Sequence, residues 1–193
     1  MKFDRKDAVG CVLLAAGNAR RFGKNKLTAL IGGRTMIQRA MDAIPADRLA
    51  AVCVVTQYEA VESLAGEYGF FCVRNTHPEW GQSYSVRLGT EALMESCGAI
   101  VFMVADQPYL RRESVAGLVE LYRTAPERIV SASHGGHRGN PCIFPGKYFQ
   151  ELCALTGDVG GSAVIRRHEE QLLLMEMDPQ ELRDVDIPED IEG

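Results

Sequence analysis

The apolar run from Val9 to Leu14 passes without a break into Ala15-Ala16-Gly17-Asn18-Ala19-Arg20-Arg21-Phe22-Gly23-Lys24-Asn25-Lys26. Continuous apolarity with β-branched residues predicts a strand buried on both faces. Such a strand needs helices packed on either side of its sheet, which restricts the chain to an α/β architecture. The turn that follows holds Arg20, Arg21, Lys24 and Lys26 within seven positions. Its small residues expose backbone N–H donors, and its cations add positive charge, so the physics points to an anion such as phosphate. A turn leaving the C-terminal end of a first strand is also where open α/β sheets gather ligands. An ordinary polar loop with solvated cations is the plainer alternative. The coincidence of small residues and cations directly after the strand favours the anion site.

Strand-like and helix-like segments alternate along the rest of the chain. Strands are predicted over Ala51–Val55, Phe70–Val73, Ala99–Val104, Ile129–Ala132 and Pro141–Phe144, with a final apolar run Leu172–Met177. Helices are predicted over Thr35–Ile44, Val61–Tyr68, Ser83–Ser96, Arg111–Arg123 and Lys147–Leu155, with a short one over Gly161–His168. This alternation implies a three-layer α/β/α, Rossmann-like fold with a mostly parallel, doubly wound sheet. The ends of the first, second and fourth strands then converge, bringing together Gly17–Lys26, Thr56 and Asp106. The Gly- and His-rich stretch Ser133–Pro141 reads as a loop lining the site.

A chain of 193 residues suits one domain spanning 1–193. Its net charge of −5 argues against a protein that coats nucleic acid, so an anionic substrate must be met by local cations. None of the six cysteines forms a C-x-x-C pair, which leaves zinc and thioredoxin-like chemistry poorly supported. Cys11, Cys53, Cys72 and Cys142 lie in strand-like runs and read as reduced, buried small hydrophobes. The N-terminus loosely mimics a signal peptide, but Asp4 and Asp7 dilute its positive region and cleavage would discard the cationic turn. No stretch is apolar for long enough to cross a membrane, so a cytoplasmic protein is expected.

Two common phosphate loops fail against these residues. A dinucleotide fingerprint needs G-x-G-x-x-G, whereas Gly17 and Gly23 have five residues between them. A P-loop needs four residues between its glycines and a hydroxyl after the lysine, where this chain has Asn25. Further along, Asp106 ends an apolar strand and is followed by Gln107-Pro108. By itself it reads equally as a turn aspartate or as a ligand of a divalent cation. Beside the first turn it fits Mg²⁺, which takes one or two carboxylates together with substrate phosphates.

The residues Leu14-Ala15-Ala16-Gly17, Arg21, Phe22-Gly23 and Lys26 fall in register with L-A-A-G-x-S-x-R-M/F-G-x-x-K. That signature resembles the nucleotidyltransferases with a sugar-nucleotide pyrophosphorylase-like fold, the nucleotide-diphospho-sugar transferase type. Ala19 replaces the usual hydroxyl or glycine. Ala105-Asp106-Gln107-Pro108 resembles the family's metal aspartate motif. Asp184-Val185-Asp186-Ile187-Pro188-Glu189-Asp190 resembles its D-I-D-T-P-E-D tail, with Asp186 as the middle aspartate; a helix start is the alternative there, and Asp158 in Gly157-Asp158-Val159-Gly160-Gly161 competes as second metal ligand. Ser162 stands where that G-D-x-G-A-R element has arginine. Gly81-Gln82-Ser83-Tyr84-Ser85 resembles a serine-rich helix start, where the hydroxyls serve either as helix caps or as nucleotide contacts. His137-Arg138-Gly139-Asn140-Pro141 resembles an acceptor-facing G-x-x-G-H-P segment, with Asn140 replacing histidine. His77, His134 and His168 carry no spacing signal.

In this order the motifs resemble the MobA-like nucleotidyltransferase family, and within it the molybdenum cofactor cytidylyltransferase (MocA-type) branch. The resemblance implies CTP and Mo-molybdopterin as substrates, Mg²⁺ as cofactor, and molybdopterin cytosine dinucleotide and pyrophosphate as products. A molybdenum hydroxylase is the implied recipient. It implies catalytic roles for Arg21, Lys26 and Asp106. Nucleotide contacts fall on Leu14, Ala15, Ala16, Gly17, Lys26, Thr56, Gly81, Ser83 and Ser85, and metal contacts on Asp106 and Asp186. Lys26 is expected to be an exposed loop residue of little value to stability. Other readings are transfer to a sugar or methylerythritol phosphate, a P-loop-type ATPase, and a non-catalytic cofactor chaperone.

Overall fold

Val9–Ala15 forms β1, with Cys11 and Leu13 buried against one face of a sheet and Val12 against the other. Residues 5–17 and 26–186 are described by the structure, a computed structural model. Asn18 to Asn25, including Arg20, Arg21 and Lys24, lie outside the described residues, as do Ile187 to Asp190. The other strands are β2 (Leu30–Ile31), β3 (Arg34–Thr35), β4 (Ala51–Thr56), β5 (Phe71–Arg74), β6 (Ala99–Val104), β7 (Ile129–His134), β8 (His137–Pro145) and β9 (Leu172–Glu176). Seven of them form one sheet in the order β5-β4-β1-β6-β8-β7-β9, and β2 pairs with β3 in a small ribbon. The sheet is mostly parallel; β8 alone runs antiparallel to its neighbours β6 and β7.

Helices cover both faces, as burial of β1 on both sides demands. Helices α1 (Met36–Asp42), α2 (Glu59–Glu67) and α4 (Arg112–Thr124) pack Ile37, Val61 and Leu118 beside Leu13. Helices α3 (Gln82–Leu93), α5 (Phe149–Cys153) and α6 (Ser162–Arg167) pack Val86, Leu152 and Val164 beside Val12. Each such apolar side chain contributes about 1.5–3 kcal/mol on burial. Helix α1 starts at a capping box: the Thr35 hydroxyl accepts from Gln38 N–H while the Gln38 side chain accepts from Thr35 N–H. The helix predicted over Lys147–Leu155 is shorter, because a 3₁₀ turn at Gly146–Tyr148 precedes α5.

The stretch Ser133–Pro141 corrects the sequence reading. It is not a loop lining the site but the hairpin joining β7 to β8. Gly135 and Gly136 take φ of +57° and +78° at its tip, as a two-residue turn with two left-handed positions requires. All six cysteines are free. Cys11, Cys53, Cys97 and Cys142 are buried, whereas Cys72 is half-buried because β5 lies at the sheet edge. Burial pushes the Cys53 and Cys142 thiols up to about 12, so neither forms thiolate near neutrality. Among the described residues no helix is long and apolar enough to cross a membrane.

Candidate active site

Strand order reverses beside β1: the chain moves outward from β1 to β4 and β5, then returns to β6 on the other side. That reversal opens a crevice at the C-terminal ends of β1 and β6, the general position of ligands in open α/β sheets. A cavity of about 630 Å³ occupies it. Leu14, Ala15, Ala16, Gly17, Lys26, Gly81, Ser85, Asp106 and Asp186 line it, as the sequence reading expects. Arg21 lies outside the described residues.

The turn after β1 is held by its neighbour strand. The Thr56 hydroxyl donates to the Ala15 carbonyl at 3.0 Å, Gln57 Nε2 to Ala16 at 2.8 Å, and the Tyr58 hydroxyl to Gly17 at 3.0 Å. Three successive side chains thus take three successive carbonyls. Parallel pairing of Ala15 with Thr56 sets that register. Thr56 is fully buried and also accepts from Tyr58 N–H. Thr56 supports the turn from behind and is not among the residues that line the cavity.

Lys26 brings the charges together. Its ammonium lies 2.9 Å from Asp106 Oδ2 and 3.0 Å from Asp186 Oδ1, and donates to the Val185 carbonyl at 3.3 Å. Its side chain is only 14% exposed, so the expected exposed loop lysine is in fact a packed one. Burial by itself lowers the ammonium's pKa; the Asp106 charge and hydrogen bond, with those of Asp186, outweigh it and raise the pKa above its ordinary value. Nearby Asp184 is raised too, first by desolvation and then by the charges of Asp106 and Asp186. Two carboxylates converging on one cation fit a divalent metal. They are hard oxygen donors brought within reach of one ammonium, and two carboxylates leave coordination positions for water and phosphate oxygen. Asp158 also lines the cavity, at the start of α3, where its Oδ1 accepts from Gln82 N–H at 3.3 Å; it makes no hydrogen bond to Lys26 among the described residues.

The serine-rich segment is arranged differently from a self-capping helix. Helix α3 begins at Gln82 with Gly81 as its N-cap residue, and no side chain of its own caps it. Instead Asp158 takes the Gln82 N–H and the Gly157 carbonyl takes the Ser83 N–H. Gly81 adopts φ +86°, and a Cβ there would meet the Gly157 carbonyl oxygen at 2.5 Å, so only glycine fits both conformation and contact. Ser83 is buried and is not among the residues that line the cavity. Ser85 does line it, its hydroxyl accepting from buried Asn75 at 2.9 Å.

Sequence reasoning missed Leu27, Pro78, Glu79, Gln82, Val104 and Ala105 on the cavity wall. Pro78 and Glu79 belong to a 3₁₀ turn that ends at Gly81. A proline three residues before a serine-rich helix start was the available signal.

The MobA-like NTP transferase domain model matches residues 11–172. "Purine catabolism protein PucB" of Bacillus subtilis strain 168 is 32% identical over 192 residues, covering 93% of this chain and 92% of that protein. A "probable molybdenum cofactor guanylyltransferase" of Haloferax mediterranei is 31% identical over 93 residues, covering 47% of this chain and 44% of that one. The crystal structure of Rv0371c from Mycobacterium tuberculosis H37Rv shares the fold at a TM-score of 0.80 and 20% identity, over 96% of each chain. A manganese complex of that protein superposes at a TM-score of 0.72 with 19% identity, over 89% of each chain.

Proposed function

Because the chain belongs to the MobA-like NTP transferase domain family, we propose that it transfers CMP from CTP to the terminal phosphate of Mo-molybdopterin, giving molybdopterin cytosine dinucleotide and pyrophosphate. The family makes it a nucleotidyltransferase; the choice of CTP and molybdopterin is our reading. One observation carries it. Lys26, Asp106 and Asp186 converge beside the Ala15–Gly17 turn at the sheet's switch point, where a triphosphate would meet both cation and metal carboxylates.

In this mechanism the Ala15–Gly17 backbone bears on the nucleotide, held in place from behind by Thr56, Gln57 and Tyr58. Lys26 exchanges its carboxylate partners for phosphate oxygens, and Arg21 adds a second positive charge. Asp106 and Asp186 would hold Mg²⁺, which when bound supplies charge neutralisation at the phosphate oxygens. The acceptor's phosphate is already anionic near neutral pH, so no strong general base is needed. Its oxygen bonds to the α-phosphorus as the bond to the β-phosphate oxygen breaks, and pyrophosphate leaves with that electron pair. Catalysis rests on positioning and charge neutralisation.

A second reading, GTP as donor, is favoured by the relative named as a guanylyltransferase. We propose a molybdenum hydroxylase as the recipient of the product, in keeping with a relative named for purine catabolism. The test is purified protein with Mg²⁺, molybdopterin and each of CTP, GTP, ATP and UTP in turn, with pyrophosphate as readout. Release with CTP alone supports the main reading and release with GTP the second. Release only when a sugar or methylerythritol phosphate replaces molybdopterin discards both.

A further inference from the structure

The segment that carries Asp186 leaves β9 and runs from Met177 to Asp186 without strand or helix. A strand ladder therefore does not place it, and something else must bring Asp186 to Lys26. The cross-connections that tie it to the stretch between β6 and α4 include three sets of hydrogen bonds. Val185 N–H donates to the Asp106 carbonyl at 2.8 Å, and Gln107 Nε2 donates to the Leu182 carbonyl at 3.2 Å. The third is the most heavily bonded. The Glu181 carboxylate, buried at 4% side-chain exposure, accepts from Arg111 N–H at 3.0 Å, Arg111 Nε at 2.9 Å and Arg111 Nη2 at 2.5 Å.

Glu181 does not line the cavity and touches neither Lys26 nor Asp106, so it is no part of the catalytic group. It lies five residues before Asp186, close enough along the chain to set where that carboxylate falls. Its partner Arg111 is the N-cap residue of α4, on the same connection that begins with Asp106. We infer that Glu181, clamped on Arg111, is a positioning residue that holds Asp186 at the metal site. Burial opposes its ionised form, but the hydrogen bonds from Arg111 and Ser114 prevail and hold its carboxyl below the ordinary range, so the clamp is charged near neutrality. This inference rests on the reading of Asp186 as a metal-holding carboxylate.

The experiment uses the full chain, Mn²⁺ as the probe and the electron paramagnetic resonance of free Mn²⁺ as the readout. The affinity of CTP in chelator and the melting temperature are measured alongside. E181Q keeps the shape and removes the charge. It is expected to weaken Mn²⁺ binding about tenfold or more, in the range usual for groups that orient metal ligands, with CTP affinity in chelator unchanged. D186N is expected to weaken Mn²⁺ at least as much, and the double variant no more than D186N alone, because Glu181 acts through Asp186. If D186N weakens Mn²⁺ and E181Q does not, the inference is overturned. If D186N leaves Mn²⁺ binding unchanged, it is the reading of Asp186 that falls. Should E181Q fail to fold, R111Q removes the two guanidinium bonds and the charge of the clamp, leaving its backbone N–H bond, at a side chain that is 63% exposed, and is read the same way.

Discussion

The two walls of the cavity are held by different means. The β1 turn is fixed by uncharged hydrogen bonds from Thr56, Gln57 and Tyr58, residues delivered by strand pairing itself. The C-terminal wall has no ladder and adds charge to two neutral hydrogen bonds at Val185 and Leu182, with Glu181 on Arg111 and Asp186 on Lys26. Ordering such a segment costs about 1–2 kcal/mol per residue in backbone entropy, so its few contacts must be strong. The difference teaches that the β1 wall should tolerate changes of pH, whereas the C-terminal wall should depend more on ionisation.

Lys26→Ala should produce the largest break, since it strips the charged wall of its central cation. We expect turnover to fall by about 10²–10³-fold, the scale for removing a group that stabilises developing charge. Stability should also fall by about 1–3 kcal/mol, because Asp106 and Asp186 are left without their shared hydrogen-bond donor. Pyrophosphate release and a denaturant melt measure the two; unaltered turnover would remove Lys26 from the chemistry.

Thr56→Val tests the uncharged wall. It preserves shape but leaves the Ala15 carbonyl and Tyr58 N–H without their shared hydroxyl, at a cost of about 1–2 kcal/mol. The nucleotide KM should rise while the Mn²⁺ affinity holds, and the reverse pattern would erase the contrast between the walls.

Acid should separate the walls without mutation. The folded pKa of Glu181 lies below its ordinary 4.5, so its stabilisation is present above 4.5 and is lost as pH falls through the lower, folded value. Hydrogen exchange at the Val185 amide should therefore quicken relative to that at Ala15 in acid, after correction for intrinsic rates. E181Q should flatten that pH response. Tyr58→Phe is the mildest test. It removes one exposed hydrogen bond to Gly17, worth about 0.5 kcal/mol, which corresponds to a change in nucleotide KM of about twofold. A loss as large as that of Thr56→Val would show that the turn is held chiefly at its tip.

Most of the architecture was legible in the chain. The continuous apolar runs at Val9–Leu14 and Ala99–Val104 could only be strands covered on both faces, and they lie centrally in the sheet. Asp106 and Lys26 were legible for a related reason, since each stands in a short motif directly beyond or near such a run. The burial of Thr56 and Ser83 was not legible, because sequence shows that a residue lies near a strand end or helix start, but not which way its side chain turns. Both are buried, one under a carbonyl and the other under the Gly157 loop. Ser133–Pro141 was misread because its glycines and histidines resemble a loop, while adjacent left-handed glycines also make the tightest hairpin.

What the sequence by itself determined was periodicity and local chemistry: alternating strands and helices, a small-residue turn with cations, and an aspartate at the end of a buried strand. These follow from burial patterns and neighbours a few positions apart. Only the tertiary structure decided that Asp186, not Asp158, shares Lys26 with Asp106, and that Glu181 is buried on Arg111. Those pairings join residues far apart in the chain through a segment with no repeating pattern, and their distances exist only once the sheet has closed around its crevice.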